Sequence, residues 1–346
     1  MTFLEFLYYL GYSIKKRYAL KNQRRLPHRV ISIGNLTLGG TGKTPATIAL
    51  AQEAKKRGLK PCILTRGYRG KAKGPCFVSK GEGPLLDEYQ AGDEALLMAE
   101  KLNDIPVIKG KDRYKAGMFA LSSLPSDLRP DLFILDDGFQ HWWLFRDINI
   151  LLIDSKSPFG NRRLLPLGSL REPIGALNRA DIIVITKIPS HSKGESKGEV
   201  NKSQMSKVKS LIEEIKRYNS KASIFFAERR HTKFAAATGK IMLPDWAEKK
   251  KFFAFCGIGN PKSFKETVLS TGIELKEFKT FRDHYRYSLS DVQAIARNAK
   301  TVGADWIVTT EKDMIRLKEF RLPENLVSLA IDFIIDKVFY EAVLGY

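Results

Sequence analysis

"GNLTLGGTGKTP" fills residues 34–45 and decides the fold. Before it stands "HRVISIG" (28–34), a β-branched run that reads as a strand. After it comes "PATIALAQEAKKRG" (45–58), which reads as a helix. Strand, glycine loop and helix in that order form the setting of a phosphate-gripping loop, G-x-x-x-x-G-K-[ST]. Counting back from Gly42-Lys43-Thr44 puts Thr37 where the first glycine belongs. The other parts are present. Gly39, Gly40 and Gly42 permit close backbone approach. The loop Thr37, Leu38, Gly39, Gly40, Thr41, Gly42, Lys43, Thr44 can wrap a β-phosphate with its N–H groups at the positive end of the helix. Lys43 would reach the β/γ oxygens, and the Thr44 hydroxyl would take Mg²⁺. A glycine turn with a surface lysine is the plainer alternative, but strand, loop, helix and G-K-T together favour a nucleotide site.

Further apolar runs repeat the pattern: "KPCILTRGY" (60–68), "DIPVIKG" (104–110), "PDLFILDDG" (130–138), "DINILLID" (147–154) and "ADIIVITK" (180–187). Near-continuous apolar strands separated by helices predict a parallel sheet covered on both faces, a P-loop NTPase-like three-layer α/β/α domain. "LFILDDGFQH" (132–141) ends an apolar strand in Asp136-Asp137, as a strand that aims a carboxylate at Mg²⁺ does. If both are still in the strand, Asp136 and Asp137 point to opposite faces. "VITKIP" (184–189) places Pro189 where a GTPase carries the aspartate that reads guanine, which argues for ATP.

Residues 190–209 are rich in Ser, Gly and Lys and read as a loop or linker leading into a helix at about 206–218. A boundary near 220 divides a P-loop domain (26–220) from a second, smaller α/β domain (221–346), where "KFFAFCGIGNP" (251–261) and "ADWIVTTEKD" (304–313) read as strand then turn.

The chain has 346 residues, 43% of them apolar, and a net charge of +20. Such a charge calls for an anionic partner: nucleic acid, an acidic membrane surface or a phosphorylated substrate. No nucleic-acid reader motif appears, so that class is set aside, and no protein partner is evident. Cys62, Cys76 and Cys256 show neither zinc spacing nor a disulfide framework, which fits a reducing cytosol. Residues 3–14, "FLEFLYYLGYSI", are apolar nearly all round and too short to span a bilayer. Basic residues follow from Lys15 to Arg29, the reverse of a signal peptide. A helix packed on the core and a helix dipped into a membrane interface beside a polybasic patch both remain open.

"ISIGNLTLGGTGKTP", "LTRGY", "GDEALLMA", "DDGFQHWWLFRDINILLID", "RRLLPLGSLREP", "FRDHYRYS" and "TTEKD" follow one another between residues 30 and 313. In this order they resemble the tetraacyldisaccharide 4'-kinase family, the lipid A 4'-kinases of Gram-negative bacteria. In that family the P-loop itself begins with Thr, which makes Thr37 a family feature. The resemblance implies transfer of the γ-phosphate of ATP to the 4'-hydroxyl of a tetraacylated glucosamine disaccharide 1-phosphate. It implies Asp93 as the base, assisted by His284, with Lys43 on the phosphates. It also implies a Mg²⁺ shell of Thr44 and Asp137 with Glu172 nearby, supported by Asp136, Arg171 and His141. Plainer readings exist for each: an N-cap for Asp93, a surface residue for His284, a salt bridge to Glu172 for Arg171 and a structural aromatic for His141. A lipid substrate moves residues 1–25 toward the membrane reading, with the enzyme peripheral on the cytoplasmic face of the inner membrane. The alternative is a cytosolic P-loop ATPase that uses nucleotide as a switch. If Asp93 and His284 serve one substrate, the cleft between the two halves holds the site.

Overall fold

A computed structural model describes residues 2–187 and 200–345. Pro189 and most of the polar stretch before the predicted helix lie outside the described residues. The strands in chain order are β1 (Arg29–Gly34), β2 (Pro61–Thr65), β3 (Cys76–Ser79), β4 (Val107–Lys109), β5 (Leu132–Leu135), β6 (Ile148–Asp154), β7 (Ile182–Thr186), β8 (Ser223–Ala236), β9 (Ile241–Met242), β10 (Lys251–Cys256), β11 (Glu274–Thr280), β12 (Trp306–Thr310) and β13 (Leu326–Ile335). Among the described residues all thirteen belong to one sheet, ordered β11-β10-β12-β13-β8-β7-β6-β1-β5-β2-β4-β3, with β9 beside β8. The helices that matter here are α1 (Phe3–Lys21), α2 (Lys43–Lys56), α3 (Asp93–Lys101), α4 (Val200–Tyr218) and α5 (Glu311–Leu317). The helix expected from about 206 begins at Val200, and the boundary near 220 falls just before β8.

β8 organises the whole. Its first residues, Ser223 to Ala227, pair in parallel with Ile182 to Thr186 of β7. The strand then runs past the carboxyl end of β7, and Ala227 to Ala236 pair antiparallel with Ile335 to Val327 of β13. β13, β12, β10 and β11 are mutually parallel. The second block therefore sits on the overhang of β8 and runs back toward the first. The carboxyl ends of the two parallel blocks face each other, and open α/β sheets bind ligands outside their carboxyl edges. The core follows the strands: β5, buried throughout, reads Leu-Phe-Ile-Leu, as a strand covered on both faces requires.

α1 packs one face on the core and leaves another exposed. Thr2 and Glu5 form a capping box. Glu5 is buried, and hydrogen bonds from Arg163 and the Thr2 N–H hold its carboxyl down at about 2. One stripe docks. The Tyr8 hydroxyl donates to the Arg171 carbonyl at 2.8 Å, and Tyr12 and Tyr18 stack edge-on against Trp142 and Trp143. The other stripe, Phe3, Leu7, Leu10 and Ile14, is exposed at helical spacing. Among the described residues no helix is long and apolar enough to cross a membrane.

Phe133 at the centre of β5 is fully buried. Phe133→Ala should cost about 3–5 kcal/mol by chemical denaturation. A loss below about 1 kcal/mol would mean that β5 is not the packed centre of the sheet.

Candidate active site

The P-loop leaves β1 and enters α2 at Gly42, whose φ of 97° is the left-handed conformation that suits glycine. Thr37 is not among the residues with positive φ. It instead forms an antiparallel bridge to Leu170, extended by a hydrogen bond from the Leu38 N–H to the Ser169 carbonyl at 2.7 Å. The loop start is thus pinned as extended backbone, and no glycine is needed there. Thr186 at the end of β7 donates to the Thr41 carbonyl at 3.1 Å and holds the far side. Lys43 Nζ lies 3.2 Å from Asn35 Oδ1 and 3.6 Å from Asp137. The Thr41 hydroxyl and the Asn35 amide nitrogen are buried with no hydrogen-bond partner, donors free for a phosphate. The loop opens on a cavity of about 490 Å³ also lined by Asp154, Leu167 and, from the second half, Asn260, which is within the range of small-ligand sites.

β5 ends at Leu135, so Asp136 and Asp137 stand in the turn beyond it, and the rule of alternating strand faces does not apply to them. Asp136 accepts from Thr65 at 3.1 Å and Thr47 at 3.4 Å, tying β2 and α2 together. Burial, then the charges of Glu94 and Asp137, push its carboxyl up to about 7. Asp137 has φ 49°, a left-handed conformation that Asp tolerates. Burial pushes its carboxyl up, but Lys43 and the Arg171 guanidinium outweigh that and hold it below the ordinary range. Arg171 Nη1 lies 2.9 and 2.8 Å from the two Asp137 oxygens, so its partner is Asp137 and not the neighbouring Glu172.

Glu172 does not join Thr44 and Asp137. It is fully buried, and both oxygens are taken: Oε1 by Gln140 at 2.7 Å and Arg179 at 2.6 Å, Oε2 by the Tyr12 hydroxyl at 2.8 Å. Its work is to anchor α1 and Gln140, whose amide also donates to the Asn35 carbonyl at 2.9 Å. Among the described residues no group of three or more His, Cys, Asp or Glu side chains gathers to hold a metal. The donors left for Mg²⁺ are the buried Thr44 and the half-buried Asp137. A hydroxyl and a carboxylate are the hard oxygens that Mg²⁺ accepts when phosphates supply the rest. His141 is kept neutral, pushed down to about 3 by burial and by Arg113 and Arg146, and its Nε2 has no partner.

Asp93 opens α3, as an N-terminal acid should. It is 1% exposed. His284, from the second half, reaches it across the facing edges: Nδ1 lies 3.0 Å from Asp93 Oδ2. His284 has φ 56°, a strained setting that for a non-glycine residue points to function. The structure thus joins two residues that sequence reading could pair only through a resemblance. It adds one that sequence reading missed: Arg316 on α5 also contacts Asp93 Oδ2. Burial pushes the Asp93 carboxyl up, yet the His284 hydrogen bond and the charges of Lys312 and Arg316 win and hold it well below the ordinary range. Also unforeseen were Asn35, Gln140 and Arg179. The Asp313-Arg316 spacing of three on a helix was a visible signal, but Arg316 reaches a partner 223 residues away.

Gly92 sets the start of α3. Its φ is 87°, and a Cβ there would lie 2.4 Å from the Tyr68 carbonyl oxygen. Gly92→Ala should displace Asp93 and cut turnover about 100-fold with little change in nucleotide affinity. Wild-type turnover in a folded variant would show that Asp93 need not be placed this closely.

Over residues 1–345 the chain matches the family described as tetraacyldisaccharide-1-P 4'-kinase, LpxK. It is 41% identical over 327 residues to the tetraacyldisaccharide 4'-kinase of Syntrophus aciditrophicus, covering 92% of this chain and 84% of that protein. It is 36% identical over 330 residues to that of Desulfotalea psychrophila, covering 95% and 89%. In three dimensions it is similar to the crystal structure of LpxK from Aquifex aeolicus in complex with ATP, with a TM-score of 0.72, 31% identity and coverage of 99% and 95%. With this much of its length matched, the chain belongs to the tetraacyldisaccharide 4'-kinase family.

Proposed function

We propose that this kinase transfers the γ-phosphate of ATP to the 4'-hydroxyl of an acylated glucosamine disaccharide 1-phosphate. The observation that carries the reading is the Asp93–His284 pair, assembled from both halves of the chain beside the phosphate loop. α3, which Asp93 opens, packs against α2, which Lys43 and Thr44 open, so the pair and the phosphate grip stand on neighbouring helices.

Lys43, the loop amides and the unpartnered Thr41 hydroxyl hold the phosphates. Arg171 and Lys43 already neutralise Asp137 and stand ready for phosphate charge. Thr44 and Asp137 would hold Mg²⁺, which when bound offsets charge on the β- and γ-phosphates. The acceptor is a neutral alcohol, so its proton must leave as the new P–O bond forms. The Asp93–His284 pair takes that proton, and ADP departs. The two facing halves, 26–220 and 221–346, are read as the two walls of this cleft.

The exposed stripe of α1 and the basic residues after it suit an anionic lipid surface. The enzyme is read as peripheral on the cytoplasmic face of the inner membrane, where its acceptor lies. α1 also holds Glu172 through Tyr12, so membrane contact and the site share one helix.

Incubation with γ-labelled ATP and the disaccharide 1-phosphate lipid should move label into the lipid phase on chromatography. Label only in free phosphate would favour a switch ATPase and overturn the reading. Lys43→Ala should lower lipid labelling about 1,000-fold or more with the fold intact; near-normal labelling would remove the phosphate grip from the mechanism. Replacing Leu7 and Ile14 by Ser leaves the docked tyrosines in place. It should release the protein from anionic vesicles while activity on a detergent-dispersed acceptor persists. Unchanged co-sedimentation would end the membrane role of α1.

A further inference from the structure

α5 lies along α3, and ion pairs join the two helices. Lys312 meets Glu94, Lys101 meets Glu311, and Lys318 just beyond α5 meets Glu100. These pairs are partly exposed and of the kind that contributes little. Arg316–Asp93 differs, with the two side chains 3% and 2% exposed.

The Arg316 guanidinium is itself fixed. Its Nη1 donates to the Gly257 carbonyl at 2.9 Å and to Asp313 Oδ1 at 3.0 Å. Asp313 is held by the Tyr287 hydroxyl at 3.0 Å, the Thr310 hydroxyl at 2.6 Å and the Gly257 N–H at 3.1 Å. The β10 and β12 ends therefore preset the aim of Nη2 onto Asp93 Oδ2, the same oxygen that His284 Nδ1 approaches. Asp93 Oδ1 accepts the Glu94 N–H at 2.9 Å.

Arg316 Nη2 also stands 3.4 Å from His284 Nδ1. Arginine has no acceptor and does not give up its proton. An ionised Asp93 likewise has no proton to give, so the proton between them belongs to His284 Nδ1, and the neutral imidazole keeps its lone pair on Nε2.

Resting on the kinase reading above, we propose that Arg316 is a positioning residue that keeps Asp93 ionised and thereby fixes the His284 tautomer. The acceptor O–H bond then breaks toward His284 Nε2, where an N–H bond forms. The acceptor oxygen bonds to the γ-phosphorus as the bond from that phosphorus to the bridging oxygen of ADP breaks. Asp93 orients the imidazole and stabilises the imidazolium but does not keep the proton.

The charged groups around the pair are Glu94 on the helix of Asp93, Lys312 and Arg316 on α5 with Asp313 behind Arg316, and Asp283 beside His284 in the loop after β11, its Oδ1 3.9 Å from His284 Nε2. Removal of the Arg316 cation should raise the pKa of the pair. Activity needs the unprotonated pair, carboxylate and neutral imidazole together, and is lost as pH falls, so the acid limb of the kcat profile should move to higher pH.

The test compares kcat and KM across pH for Arg316→Gln, Arg316→Lys, Asp93→Asn and His284→Asn, with the melting transition of each. Arg316→Gln should move the acid limb up by about 1–3 units and lower kcat, with KM for ATP unchanged. Arg316→Lys should return the limb to near the wild-type position. An unmoved limb in folded Arg316→Gln would overturn the proposal. Should that variant not fold, Arg316→Gln/Asp313→Asn, which leaves no lone carboxylate at 313, is read the same way. Full turnover by Asp93→Asn and His284→Asn would instead overturn the kinase reading of the pair. Loss in those two beside an unmoved limb in Arg316→Gln overturns the role of Arg316 alone.

Discussion

β8 is the constraint on which the rest depends. One strand pairs in parallel with β7 over its first residues and antiparallel with β13 beyond them. A strand confined to the β7 ladder would leave the second block without an attachment. The overhang supplies that attachment and also reverses the second block, so two carboxyl edges face each other. Every group assigned to chemistry then stands on one of these edges. The phosphate loop follows β1, Asp136 and Asp137 follow β5, His284 follows β11, and Arg316 lies on the helix after β12. A parallel sheet of ordinary direction throughout would have set the loops of the second block beside those of the first along one edge, where His284 could not meet Asp93 from the opposite side.

Charge arrangement follows from this geometry. A basic chain of net charge +20 places its functional acids where burial would protonate them. Asp137 and Asp93 escape because each meets buried or half-buried cations: Lys43 and Arg171 for the first, Arg316 and Lys312 for the second. Asp136 forms no ion pair among the described residues, and burial lifts its carboxyl to about 7 against the charge of Lys43, with two threonine hydroxyls bonded to it. Three carboxylates within one small site thus differ in ionisation because their neighbours differ. The removal of one partner from a buried ion pair generally costs about 3–5 kcal/mol, so these contacts stabilise the fold as well as the chemistry.

What the sequence disclosed tracks how local each feature is. The first block was legible because its strands are unbroken apolar runs, and the phosphate loop was legible because strand, glycines and G-K-T are contiguous. Thr37 looked like a defect only because the pattern assumes a left-handed residue there, whereas the bridge to Leu170 makes it extended. β11, "ELKEFKT", escaped notice because it is a largely exposed strand at the sheet edge with charges through its length. β8 escaped because its overhang reads "AERRHTKFAA", with no apolar run to mark it. The reversal of the second block is a matter of strand direction, which no local pattern records. Glu172 was expected near the metal because of its place in "REP", but its partners, Tyr12, Gln140 and Arg179, come from three other segments.

The central claim is that phosphate donor and lipid acceptor meet between the two facing carboxyl edges. The most direct measurement is a crystal structure of the protein with Mg²⁺, a non-hydrolysable ATP analogue and the disaccharide 1-phosphate lipid. The γ-phosphate should lie against Lys43, and the 4'-hydroxyl should stand between it and His284, within hydrogen-bond reach of the imidazole. An acceptor hydroxyl bound away from His284 and Asp93, or a nucleotide seated outside residues 37–44, would contradict the account.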